Sequence, residues 1–260
     1  MGYFNVEAKP FILPSEQHDG NITDTQILAD WTSFEIPKGA ARLIGMTVLY
    51  RGKNGADITP TDFEIIWAKS NPNGSAPTSL GVVTAAVGVP AAGSPPWFNL
   101  VQARSYIDVS NGGNDGDLTY MNVIVPQSIG GRIADTYLNG GVGNTIVLQG
   151  EPNSGSNVGY DKLYCALIAK ATHNWGPSTI AVDGISPITG KTLTVQTVGA
   201  NITFAPGDVL YDENDRLMGT VESIDSATQI TMKDNLALAS VDDAVLYNAS
   251  PISLILSFEQ

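Results

Sequence analysis

The chain has 260 residues, of which 43% are hydrophobic, so it is long enough to bury one large core or two modest ones. Its formal net charge of −13 and its lack of clustered Lys and Arg argue against a phosphate-binding surface, so we expect no nucleic-acid partner. The apolar runs stay below membrane-spanning length, which predicts no membrane partner, and a single cysteine excludes an intrachain disulfide.

Residues 1–20 carry apolar side chains without a helical period. The aromatic members are Tyr3, Phe4 and Phe11, and the stretch is interrupted by Pro10 and Pro14. This pattern fits either an edge strand or an extended arm that docks on a neighbouring molecule. We therefore treat Tyr3, Phe4 and Phe11 as interface candidates.

Residues 21–176 predict a series of short strands separated by turns. The chain contains 27 Gly and 15 Pro, and the separators combine these residues with Asn and Ser. The segment "WTSFEIPKGAARLIGMTVLYRG" predicts two strands around a Pro-Lys-Gly turn. Further strands are predicted in "LGVVTAAV", "SYIDVS", "LTYMNVIV", "NTIVLQGE" and "KLYCALIAKA". This spacing is typical of an all-β fold, and we expect a β-sandwich with jelly-roll-like connections.

Two stretches of this region carry more specific expectations. In "TDFEIIWAKS", the alternation of Phe63, Ile65 and Trp67 predicts a half-buried strand with these three side chains on its core face. The loop "SPPWFNL" places Trp97 and Phe98 beside two prolines. Aromatic side chains in a stiff loop anchor an interface in some proteins and cap a core in others. The sequence leaves both open, and Trp97 and Phe98 join the interface candidates.

The composition changes at "ATHNWGPST", residues 171–179, and this predicts a domain boundary near residue 176. Short strands in "TLTVQTV", "RLMGTVESID", "TQITMKD" and "AVLYNA" predict a small β-barrel over residues 177–250. Residues 251–260 form one more apolar strand. It belongs either to the barrel or to the sandwich, and its apolar character favours a return to the sandwich.

The run Asp212-Glu213-Asn214-Asp215 lies between two apolar stretches of the small domain. Four oxygen-bearing side chains in a row suggest a cation site, but Asp and Asn also dominate hairpin turns. Their side chains bond nearby backbone amides and tolerate unusual dihedral angles. We therefore predict that this run is the turn of a hairpin.

Other motifs give weaker signals. "GISPITGKT" resembles a phosphate-binding loop, but its spacing is wrong and a strand-like stretch follows it. His18 and His173 stand far apart, and we expect each to be a surface or loop residue. Cys165 lies in an apolar run, where a buried, unreactive thiol is the usual finding.

In "NGGNDGD", a weak calcium candidate consists of Asn111, Asn114, Asp115 and Asp117, and a polar turn is the favoured alternative.

Two segments resemble structural proteins of tailed bacteriophages, especially marine and cyanobacterial ones. The closer resemblance is "FAPGDVLYDENDRLMGTVESIDSATQITMKDNLALASVDDAVLYN", residues 204–248. The segment "ARLIGMTVLYRGKNGADITPTDFEIIWAKSNPNGSAPTSLGVV", residues 41–83, is more loosely similar to strands of phage capsid-associated β-sandwiches. Together they cover about half of the chain.

The resemblance implies a non-enzymatic virion protein, with no cofactor and no catalytic residue. The favoured form is a decoration (cement) protein that binds the outer surface of the head at capsomer junctions, assembled in the bacterial host cytoplasm. Its partner would be the major capsid protein, and it would form a homo-oligomer, for which a trimer is one option. The acidic charge argues for an outer position, away from the packaged genome.

Two alternatives stay open. One is a role in the neck, the tail or a head fibre of the same virion, because sandwiches and small barrels occur in all of these. The other is a glycan-binding β-sandwich module in which Trp67, Trp97 or Trp175 stacks on sugars, although Trp67 lies on the predicted core face.

Overall fold

We describe the protein from a computed structural model. It covers residues 2–18, 22–51, 61–88, 90, 92–108, 113–114, 120–124, 146–151, 159–173, 180–187, 189–196 and 203–260. These residues form antiparallel β-sheets together with a short α-helix, α1 (Pro14–His18), and a 3-10 helix, Trp97–Leu100. Neither helix reaches the length and apolarity that a membrane span requires, as far as the described residues go. The predicted all-β class is confirmed.

The first sheet contains both ends of the chain. Its order is β1 (Tyr3–Ala8), β15 (Ile252–Glu259), β3 (Ala40–Tyr50), β7 (Tyr120–Ile124) and β6 (Gly113–Asn114), and β8 (Ile146–Gln149) also pairs with β3. The last strand therefore lies between the first strand and β3. Alternate residues of β15 point into the core, where Leu254, Leu256 and Phe258 are fully buried.

The second sheet faces the first across a common core. Its order is β2 (Ile27–Pro37), β9 (Tyr160–Ala169), β4 (Phe63–Lys69) and β5 (Val101–Ile107). Phe34 contacts aromatic rings on both sides, with its ring centroid 6.4 Å from that of Phe258 in the first sheet and 5.9 Å from that of Trp67 in the second. The β-sandwich prediction is confirmed. The jelly-roll connection stays a prediction, because residues 125–145 between β7 and β8 lie outside the described residues.

The predicted turn between the first two long strands is also confirmed. Strand β2 ends at Pro37, and strand β3 begins at Ala40. Gly39 in the turn has φ +119°, a region that side-chain-bearing residues rarely adopt. Its amide donates to the Asp161 carboxylate at 3.0 Å, which ties the turn to β9.

Two expectations for this region were wrong. Strand β4 is buried on both faces, because Ile66 packs into a second apolar cluster on the outer side of its sheet. Residues 80–87, predicted as a strand, form turns that cover this cluster, with Leu80 and Val83 pointing into it. A continuous strand is excluded because Gly81 (φ +135°) and Thr84 (φ +70°) have left-handed backbone conformations.

The small unit is built around a core of its own. Its five-stranded sheet has the order β10 (Thr192–Thr194), β13 (Gln229–Met232), β12 (Leu217–Ser226), β11 (Val209–Asp212) and β14 (Leu246–Asn248). The core side chains are Ile180, Val182, Leu193, Val195, Phe204, Leu210, Met218, Val221, Ile230, Met232, Leu236, Ala244 and Leu246. The boundary predicted at residues 176 and 177 lies outside the described residues.

The small unit is not the closed barrel that we expected, within the part of the chain described. Its edge strands β10 and β14 do not pair with each other. Isolated bridges link Val182 to Val195 on one edge and Ala181 to Val245 on the other. Residues 181–182 lie between the two edges and form only these isolated bridges, where a closed barrel would need a paired strand.

The N-terminal segment after β1 runs from the sandwich to the small unit. The Ile12 amide donates to the Ala249 carbonyl at 2.9 Å, and Gln17 Nε2 donates to the carbonyls of Ile12 and Asn248. In addition, Arg51 from the sandwich forms an ion pair with the buried Asp208. These bonds fix the position of one unit relative to the other.

Candidate interaction surface

The five aromatic interface candidates lie in three separate places. Tyr3 and Phe4 lie in edge strand β1, Phe11 lies at the junction of the two units, and Trp97 and Phe98 lie in the loop over the second sheet. Tyr3 is 68% exposed and donates its hydroxyl to Glu259 Oε1 at 3.1 Å. Phe4 points inward and stacks on Phe258 at 5.5 Å.

Phe11 contributes to a contact within the chain. Its ring meets the ring of Tyr211 edge to face, with 5.5 Å between the centroids, and Tyr211 belongs to the small unit. About two fifths of Phe11, 43%, stays exposed. The contact with Tyr211 shows that Phe11 helps to join the units.

The loop that carries Trp97 and Phe98 is held in place by hydrogen bonds to its surroundings. The Thr78 hydroxyl donates to the Pro95 carbonyl at 2.7 Å, and the Trp31 indole N–H donates to the Thr78 carbonyl at 2.9 Å. The Trp97 indole N–H donates to the Gly88 carbonyl at 3.4 Å. A short 3-10 helix, Trp97–Leu100, then turns the chain into β5. The two aromatic residues are thus presented from a fixed support.

Three aromatic rings in this region make contact in series. The Trp31 and Trp97 centroids are 6.5 Å apart, and the Trp97 and Phe98 centroids are 5.7 Å apart with nearly perpendicular rings. Trp31 and Trp97 are partly buried against the outer apolar cluster, whereas Phe98 is 55% exposed. We call Trp31, Trp97 and Phe98 the aromatic surface. It combines a partly buried base with an exposed tip, the arrangement of an interface anchor.

The aromatic surface depends on a tertiary arrangement. Trp31 comes from β2, and the other two rings come from a loop more than sixty residues later in the chain. Trp31 lies next to the apolar residues beneath the loop, among them Ile27, Ile66 and Leu80. The prediction singled out Trp97 and Phe98 through the aromatic-proline composition of their loop. It missed Trp31, because nothing in the strand sequence shows which face a neighbouring loop covers.

His173 was predicted to be a surface or loop residue. It lies outside the named strands, but the surface position was wrong. Its side chain is 1% exposed, with Nδ1 2.7 Å from the Tyr50 hydroxyl and Nε2 3.0 Å from the Asp62 carbonyl. Because the carbonyl only accepts, Nε2 carries the proton and Nδ1 accepts from Tyr50. Burial lowers the pKa of His173 to about 4. The neutral histidine is part of the core.

Cys165 is fully buried in β9, as the apolar run predicted. Burial raises the pKa of its thiol to about 12, so the nucleophilic thiolate is strongly disfavoured. Cys165 thus packs as an apolar side chain and is unsuited to act as a reactive group.

The acidic run of the small unit forms the predicted hairpin turn between β11 and β12. The buried Asp212 carboxylate accepts from the amides of Asn214 and Arg216, each at 3.0 Å, and from Arg216 Nε at 2.6 Å. Asp215 has φ +58°, and its carboxylate accepts from the Ser15 amide and hydroxyl at 2.9 and 2.6 Å. The acidic oxygens of both aspartates are therefore used by the fold.

The calcium candidate lies almost wholly outside the described residues. The structure gives only the backbone of Asn114, in β6, whereas Asn111, Asp115 and Asp117 are not described. Among the described residues, no group of three or more His, Cys, Asp or Glu side chains has a metal-binding arrangement.

Of the sugar-stacking candidates, Trp67 is fully buried and donates its indole N–H to Ser105, and Trp175 is not described.

Comparison of the chain with protein-family models, with curated proteins and with solved structures found no match in any of the three.

Proposed function

We propose that this chain is a non-enzymatic structural protein of a tailed-phage virion, most simply a decoration protein on the outer surface of the head. In this role the protein binds where capsomers meet and raises the work needed to separate them. The major capsid protein is the partner. The proposal starts from the sequence resemblance of residues 41–83 and 204–248 to phage structural proteins.

The observation that carries the proposal furthest is the aromatic surface. Phe98 is 55% exposed, yet it rests on Trp97, which in turn contacts Trp31 above a buried cluster. Scattered single apolar residues are common on protein surfaces. Three rings in series, two on a hydrogen-bonded loop and one on β2, instead form an anchor of the kind that dominates interface energies. Little conformational entropy is lost when such a rigid anchor binds.

The charge of the chain supports a position on the outside of the head. A net charge of −13 repels the phosphates of a packaged genome and favours a surface away from it. A contact built on aromatic rings also depends little on salt, because its energy comes from apolar burial. Binding to heads should therefore persist at salt concentrations that dissociate charge-driven complexes.

The first prediction concerns Phe98. Purified protein is mixed with heads that lack decoration, and bound protein is measured by cosedimentation and imaged by electron microscopy. We expect regular density at capsomer junctions. We expect Phe98→Ser to weaken binding at least about tenfold, because it removes the exposed tip of the anchor. The matched control is Tyr160→Ser, since Tyr160 is also 55% exposed but lies in β9, and this change should leave binding within about twofold.

The other outcomes separate the alternatives. Bare heads with wild-type protein would overturn a decoration role, and the same protein would then be tested on isolated necks, tails and fibres. Equal loss of binding for Phe98→Ser and Tyr160→Ser would show that the aromatic surface is not the contact. A glycan-binding module would instead show saturable binding to cell-surface polysaccharide that Phe98→Ser removes.

A further inference from the structure

Edge strand β1 has a straight and uninterrupted register. All six of its residues pair with β15 in sequence, from Tyr3 opposite Glu259 to Ala8 opposite Leu254. Gly2 and Gln260 exchange both of their backbone hydrogen bonds, at 2.8 and 2.9 Å. Because bonded pairs alternate in an antiparallel ladder, the N–H and C=O groups of residues 3, 5 and 7 point away from β15. Those of Asn5 and Glu7 bond to none of the described residues.

The remaining described edges are protected. Strand β2 has two interruptions of register against β9 and ends at Pro37. In β5, the Gln102 side chain bonds both backbone groups of Gln149 and so ties this edge to β8. The edges of the small unit bond to residues 180–183, and β6 is only two residues long. Bulges and covered edges are the usual protection against strand addition. The register of β1 has no bulge, and none of the described residues bonds to its outward Asn5 and Glu7 backbone groups.

The core beside β1 is incomplete. Phe4 and Val6 point inward and pack against the main core, but both stay partly exposed. Their partners on the next strand, Phe258 and Leu256, are fully buried. A further strand added beside β1 would therefore bury apolar surface in addition to pairing backbone groups.

We propose that two copies of this chain join through their β1 strands, antiparallel about a two-fold axis at Asn5. This register places Asn5 opposite its own copy, so the outward N–H and C=O groups of the two Asn5 residues pair, and it places Tyr3 opposite Glu7. It also places Phe4 opposite Val6 on the core side, and aromatic–β-branched pairs of this kind stabilise sheets. The sequence of β1 is thus complementary to itself, which selects a second copy as the occupant.

The test uses the full chain and no phage heads, so its result is independent of the proposed function. Sedimentation across a concentration series should show a species of twice 27.4 kDa that dissociates on dilution. The variant Asn5→Pro removes only an outward amide, since a proline on an edge strand can face solvent. We expect it to be monomeric, whereas Asn5→Thr, which keeps the amide, should still dimerise. A wild type that is monomeric or trimeric, or a dimer that survives Asn5→Pro, would overturn the proposal.

Cross-linking tests the register itself. With Asn5→Cys, the two introduced thiols would have Cα atoms about 5.5 Å apart, within the range that a disulfide bridges. With Tyr3→Cys, the two sites are offset by four residues, about 13 Å, which is too far. Cys165 is buried and does not compete. We expect oxidation to give a covalent dimer for Asn5→Cys alone, and a dimer from both variants or from neither would contradict this register.

A third measurement remains decisive if Asn5→Pro fails to fold. Asn5→Asp and Asn5→Lys each place like charges opposite each other across the axis and should raise the dissociation constant about tenfold. An equimolar mixture places opposite charges there and should recover association as a heterodimer. Mixtures that associate no better than the separate variants would rule out this axis, and β1 would then be an edge for a strand of another protein.

Discussion

At the scale of single residues, His173 shows how burial sets a protonation state. Both ring nitrogens are bonded inside the core, and the pKa of His173 is about 4 in the folded chain against an ordinary value near 6.5. The unfolded chain therefore binds a proton between these pH values that the folded chain does not. It follows that stability is independent of this group above pH 6.5 and falls as the pH is lowered toward 4.

The variant His173→Gln tests this dependence, because glutamine is neutral throughout. From pH 7.5 to pH 4.5, the free energy of unfolding of the wild type should fall by about 2–3 kcal/mol more than that of the variant. Chemical denaturation at the two pH values measures both changes. The carboxylates are common to both proteins, so their contribution to the pH dependence of the free energy of unfolding cancels in the comparison. Parallel pH dependences would mean that His173 titrates normally in the folded chain.

At the scale of elements, the hairpin 212–215 is stabilised by one buried carboxylate. Asp212 is 1% exposed and accepts from the backbone amides of Asn214 and Arg216 as well as from the Arg216 side chain. Removing the carboxylate leaves these donors without their partner. The cost of an unsatisfied donor exceeds the net value of an ordinary hydrogen bond.

We expect Asp212→Ala to lower the free energy of unfolding by about 2–3 kcal/mol, because the turn loses several bonds at once. Asp212→Asn keeps an acceptor oxygen for the two amides and should cost less. Glu222→Ala, an exposed acidic position in β12, is the control and should stay within about 0.5 kcal/mol of the wild type. Urea titration measures all three. If Asp212→Ala matched Glu222→Ala, the carboxylate would not support the turn.

At the scale of the whole molecule, the buried pair of Arg51 and Asp208 links the sandwich to the small unit. Burial raises the pKa of the Asp208 carboxyl, and the nearby Arg51 charge opposes this. The Asp208 side chain also accepts from the Ala205 amide at 2.8 Å, and it is only 3% exposed. A buried carboxylate that loses its cation is strongly destabilising, even where the intact pair contributes little.

Arg51→Met should therefore lower the free energy of unfolding by about 3–5 kcal/mol. The double variant Arg51→Met with Asp208→Asn should recover much of this loss, because it removes the unpaired charge. Lys69→Met is the control, since it breaks the more exposed pair with Glu151 and should cost about 1 kcal/mol or less. Calorimetry measures the three changes. Equal losses for Arg51→Met and Lys69→Met would show that the pair does not hold the units together.

The sequence by itself determined the local elements. Period-2 alternation and turn residues predicted the strand-turn-strand of β2 and β3, the strands of the small unit and the 212–215 turn. These signals involve residues that are close in the chain, so they can be interpreted without knowledge of the tertiary structure. The composition of the loop around Trp97 and Phe98 likewise marked two members of the aromatic surface, although not the support on which they rest.

Only the tertiary structure decided which surfaces are covered. The second buried face of β4, the turns over residues 80–87 and the core position of His173 all depend on segments that meet across long stretches of chain. The same holds for the pairing of β1 with β15, which joins two strands from opposite ends of the sequence and makes β1 the edge of the sheet among the described strands. A residue's own neighbours determine its strand or turn, whereas burial depends on contacts that a local pattern does not encode.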